Sequence, residues 1–106
     1  MNLKYFIVNK IEKIKSPDFE GINVNYIDVN NWFKINGLNP SNMNEIRQFI
    51  FEEWIAKKLK SSKNKITEGS CIIIVYEDPT DTFIKFLEQK IEEIFSCESC
   101  ELILLP

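Results

Sequence analysis

The chain has 106 residues, 44% hydrophobic and 27% charged, an ordinary globular composition with room for one domain spanning 1–106. A chain of this size buries a modest core without disulfides or metal, and no apolar run is long enough to cross a bilayer. It contains no histidine, which excludes imidazole acid–base catalysis, the usual serine and cysteine triads and every zinc site built on imidazole.

The net charge of −3 is unevenly spread. Residues 1–69 carry eleven Lys/Arg against eight Asp/Glu, whereas residues 70–106 carry two lysines, Lys85 and Lys90, against eight carboxylates. An acidic C-terminal third disfavours nucleic acid there and suits a basic partner. The first ten residues hold a short apolar stretch but no small-residue cleavage site, so they read as a strand, with cytoplasmic residence expected.

In chain order, the aromatic and β-branched run near 3–9 predicts a strand. Ser16-Pro17-Asp18 and Glu20-Gly21 are turn chemistry, and Ile22 to Tyr26 alternate apolar and polar, as a half-wet strand does. These two strands (3–9 and 22–27) are expected to pair as a hairpin around a 15–21 loop, the second near a sheet edge. Asp28 can cap a short helix over 29–36, with Gly37 as its left-handed stop and Leu38 folding back. Trp32 and Phe33 are expected core anchors.

Asn42 and Glu45 make a capping-box pattern before a helix over 42–60. Ile46, Ile50 and Trp54 are expected on its core face, with Phe49, Phe51, Ile55 and Leu59 widening the apolar sector. That breadth implies contact with more than one layer, or a surface left for a partner. The lysine-rich stretch after it reads as a linker closed by Gly69. Cys71 begins a continuous apolar run, predicting a strand at 71–76 buried on both faces. Asp78 as cap, Pro79 at the first helical position and Asp81 in the first turn predict a helix over 79–96. Its buried stripe is Phe83, Ile84, Leu87, Ile91, Ile94 and Phe95. A last strand at 101–105 is expected to be as buried as 71–76. Together these give an α/β domain of two or three layers, with α+β as the alternative: a mixed four-stranded sheet, three helices, order β-β-α-α-β-α-β.

No catalytic residue, metal site or cofactor is predicted. Cys97 and Cys100 form a CxxC that follows a helix, where the dipole and the neighbouring Glu98 and Glu101 raise thiol pKa and blunt reactivity. Glu77, Asp78 and Asp81 cluster at the carboxyl end of a buried strand, where open α/β sheets bind ligands. Asp78 and Asp81 are already explained as cap and first-turn residues, which leaves a small enzyme subunit as a lesser alternative. Lys57, Lys58, Lys60, Lys63 and Lys65 could contact phosphates, although lysines at a helix C-terminus also complement its dipole. The 29–36 and 43–59 helices invite a helix-turn-helix reading, but the second is rich in Phe and Ile and poor in Arg, unlike a groove reader.

In size, charge and layout the chain resembles the small acidic α/β inhibitors that neutralise basic toxins, barstar among them. No motif is shared and no residue is carried across. The sequence therefore ranks a non-enzymatic protein-binding module first, an immunity or inhibitor protein for a basic partner. Its expected partner-binding residues are Glu77, Asp81, Glu88, Glu92 and Glu93. Nucleic-acid binding through the lysine run is the alternative, and no membrane association is expected.

Overall fold

The computed structural model describes residues 3–10, 23–66, 70–96 and 100–105. Strand β1 is Leu3–Val8 and β2 is Val24–Asp28, which passes directly into helix α1, Val29–Ile35. After a 3-10 turn at Pro40–Asn42 comes α2, Glu45–Lys63, then β3, Cys71–Val75, α3, Asp81–Phe95, and β4, Cys100–Leu105. The α/β class and the element order are those expected from the sequence. No helix is long and apolar enough to cross a membrane among the described residues.

The sheet is parallel throughout, in the order β2-β3-β1-β4. This corrects the expected mixed sheet and its β1–β2 hairpin: β3 lies between those strands and pairs with both. The 9–23 connection is longer than a tight hairpin requires and long enough for the crossover that parallel strands need. The proposed 15–21 loop and Gly69 lie outside the described residues. β2 is an edge strand, as its alternation suggested. β4 is the other edge, against the expectation of full burial. Leu102 and Ile103 are half-buried, and Leu104 is 54% exposed. An apolar run thus marked two situations, the centre of the sheet at β3 and a thinly covered edge at β4.

All three helices contribute to one core against one face of the sheet. Phe33 of α1, Phe51, Ile55 and Leu59 of α2, and Phe83, Leu87 and Ile91 of α3 pack with Leu3, Tyr5, Ile7, Ile72 and Ile74. The strand residues alternate, so Val8, Cys71, Ile73 and Val75 are buried on the opposite face. Each such fully buried aliphatic contributes about 1.5–3 kcal/mol relative to exposure. Trp32 and Trp54 are half-buried rather than core anchors, packed against each other at a tilt with ring centroids 5.5 Å apart.

Three boundaries moved for local reasons. Asn44, not Asn42, caps α2, its Oδ1 accepting the Arg47 N–H at 3.0 Å. Asn39 instead starts the preceding 3-10 turn. Thr80, not Asp78, caps α3, its hydroxyl accepting the Phe83 N–H at 3.2 Å. Asp78 takes a left-handed conformation, φ 50°. The residue before a proline is pushed out of the right-handed helical region, and Asp tolerates this alternative. Helix α2 runs to Lys63, so Lys57, Lys58, Lys60 and Lys63 are helical rather than linker.

The buried face of α2 also differs. Phe51, Ile55 and Leu59, spaced by four, enter the core, whereas Ile46 is 73%, Phe49 61% and Ile50 52% exposed. At 3.6 residues per turn, Phe49, Ile46 and Ile50 lie about 160°, 140° and 100° around the helix from Phe51, so they face away from the core that Phe51, Ile55 and Leu59 enter.

Candidate functional site

The chain leaves β1 for β2 across β3, and leaves β3 for β4 across β1. The connections leave the adjacent pair β1 and β3 in opposite directions, and the carboxyl ends at such a switch point form the ligand crevice of open α/β sheets. Here the edge is braced by one side chain. The Tyr76 N–H continues the ladder to the Val8 carbonyl at 2.8 Å. Beyond it, the Asn30 amide donates to the Asn9 carbonyl at 3.1 Å, and Asn30 Oδ1 accepts the Glu77 N–H at 2.6 Å. Asn30 reaches both because Asp28 caps α1 directly after β2, accepting the Asn31 N–H at 2.9 Å. The buried Asn9 Oδ1 has no hydrogen-bond partner among the described residues.

A cleft of about 760 Å³ opens at this edge. Its walls are the Asn39–Met43 segment, the N-terminal half of α2, the end of β3 and the start of α3. Phe51, Tyr76 and Phe83 are buried in its wall and Phe86 is half-buried there. Tyr76 and Phe83 pack at a tilt with centroids 4.4 Å apart, and Phe51 and Phe83 stack at 5.7 Å. Burial among these rings pushes the Tyr76 hydroxyl pKa up. Polar groups reach the cleft from Gln48, Glu52, Glu77, Asp78, Thr80 and Thr82, and no lysine or arginine among the described residues lines it. The Gln48 amide donates to Glu52 Oε1 at 3.0 Å and steadies that carboxylate.

The carboxylates expected from the sequence fall into two places. Glu77 lines the cleft, together with Asp78 and Glu52. Asp81, Glu88 and Glu92 are exposed on α3. With Lys85 they recur at i, i+4, i+7 and i+11 and so share one outward face. Glu93 is turned away from that face and pairs with Lys90 at 3.3 Å. Sequence reasoning gave no role to Glu52, Asn30 or Asn9, which come together through contacts far apart in the chain.

The lysine run is exposed but divided. Lys58 Nζ lies 5.9 Å from the Trp54 ring centroid, whereas Lys60 and Lys63 line a smaller pocket with Lys90 and Glu93, between α2 and α3. The buried Leu59 separates the two sets. Cys71 is buried, and burial pushes its thiol pKa up. Cys97, half of the CxxC, lies outside the described residues. Among the described residues no three His, Cys, Asp or Glu side chains gather as a metal site. No family model, curated protein or solved structure matches this chain.

Proposed function

We propose that this chain is a non-enzymatic protein-binding module for a basic partner, of the kind that neutralises a toxin by covering it. The observation that carries this reading is the grouping of carboxylates at the cleft and along α3. Glu52, Glu77 and Asp78 line the cleft with no lysine or arginine among the described residues there, and Asp81, Glu88 and Glu92 share an exposed face of α3 with one lysine, Lys85. Charges so placed steer a basic partner to the surface and are screened by salt. Ile46, Phe49 and Ile50 on α2 add exposed apolar area, of the kind an interface core uses.

The test is affinity capture at low salt, with each captured protein identified by mass spectrometry and then purified. The reading expects a basic protein that binds the purified chain directly, with an affinity that falls as salt rises. Direct binding only by acidic proteins, or only by nucleic acid through Lys57, Lys58, Lys60, Lys63 and Lys65, would contradict it.

A further inference from the structure

The cleft allows the partner's chemistry to be named more closely, resting on the reading of a basic partner given above. We infer that the cleft is a socket for a guanidinium group, the end of an arginine side chain presented by that partner. Three features of the lining select this group. Glu52, Glu77 and Asp78 supply negative charge, and no lysine or arginine among the described residues competes for it. Phe86, half-buried in the cleft wall, supplies flat apolar surface, on which a guanidinium stacks while keeping its in-plane donors for carboxylates. An ammonium group is more strongly hydrated and has no plane to stack, so it gains less from the same walls.

The third feature is Tyr76 itself. It is 5% exposed, and its hydroxyl forms no hydrogen bond with the described residues. A buried phenol normally finds a partner. Tyr76 lines the cleft, so a group seated there can supply that partner by donating an N–H to the hydroxyl oxygen. The carboxylates beside it are partly set in place beforehand. The Glu77 backbone is held by Asn30, and Glu52 is steadied by Gln48. Such pre-organisation lowers the ordering cost of binding. The volume, about 760 Å³, admits the aliphatic stem and flanking backbone as well as the charged end.

The experiment needs no partner. The ¹⁵N-labelled full chain is titrated with arginine amide, lysine amide and citrulline amide, following backbone amide shifts. Arginine amide should give saturable shifts centred on Glu52, Tyr76, Glu77 and Asp78. Citrulline amide, nearly isosteric but neutral, should give none, and lysine amide should bind several-fold more weakly. The E52Q/E77Q double variant should weaken arginine amide about tenfold, the scale of a lost charge-assisted hydrogen bond. Y76F should weaken it less, and E88Q/E92Q/E93Q should leave it unchanged. The amide spectrum of each variant reports that it remains folded. Equal binding of citrulline or lysine amide would overturn the inference, as would shifts that follow α3 and vanish in E88Q/E92Q/E93Q. Failure of the arginine titration removes the socket but leaves a basic partner steered by α3. A working socket with no basic partner captured removes the proposed function but keeps the site.

Discussion

Asn30 accepts the backbone N–H of Glu77 at 2.6 Å and so ties the first turn of α1 to the residue leaving β3. The two are 47 positions apart, and the same side chain donates to Asn9 at the end of β1. One amide thus holds the carboxyl ends of the two central strands in a fixed relation to the first helix. Asn30→Ala removes both bonds and leaves two backbone groups without their partner. Its expected cost is about 1–3 kcal/mol in urea unfolding. A change within about 0.5 kcal/mol, the range of surface substitutions, would show that the brace carries no stability.

The orientation of α2 is open to a direct comparison. Leu87 on α3 is fully buried, and Leu87→Ala should cost about 2–5 kcal/mol. Ile46 and Ile50 are exposed, so Ile46→Ser and Ile50→Ser should each stay within about 0.5 kcal/mol. A loss of several kcal/mol at Ile50 would mean that the helix buries the face its sequence first suggested.

That misassignment shows where the sequence was legible and where it was not. Features decided within a few residues were readable. Asp28 caps α1, Gly37 takes φ 61°, and Leu38 folds back with its N–H on the Phe33 carbonyl at 2.9 Å, closing a Schellman motif. The stripe of Phe83, Leu87 and Ile91 was readable because α3 is polar on its other side. Helix α2 is apolar around most of its circumference, so which side meets the sheet is a tertiary choice that its own periodicity does not make. The neighbour of β2 was equally unreadable, since its alternation satisfies a hairpin with β1 or a parallel ladder with β3. Of the site, Glu77 was found from its position after an apolar strand. Asn30, Asn9 and Glu52 acquire their roles only once distant segments meet.

The buried Cys71 and Tyr76 protons lower stability at alkaline pH. Burial holds the Cys71 thiol and the Tyr76 hydroxyl above their ordinary values, which are about 8.5 and about 10. Above those values the unfolded chain has released these protons and the folded chain still holds them, so stability falls as pH rises. Below the unfolded values both states hold them and the effect vanishes. Urea midpoints measured from neutral to alkaline pH should decline, first from Cys71 and then from Tyr76. Tyr76→Phe should flatten the later part of the decline, and an unchanged slope would contradict its assignment.

The central claim, that the carboxylates at the cleft and along α3 guide a basic partner, is tested most directly by stopped-flow association of the E88Q/E92Q/E93Q variant with the captured basic protein. These residues are exposed on α3, and Gln keeps their shape and helix propensity, so thermal stability should barely move. The association rate at low salt should fall about tenfold, within the span seen among variants of one interface, and its dependence on salt should flatten. Association at the wild-type rate at low salt, with the wild-type salt dependence, would contradict the claim and leave the α3 carboxylates as charges that only keep the surface hydrated.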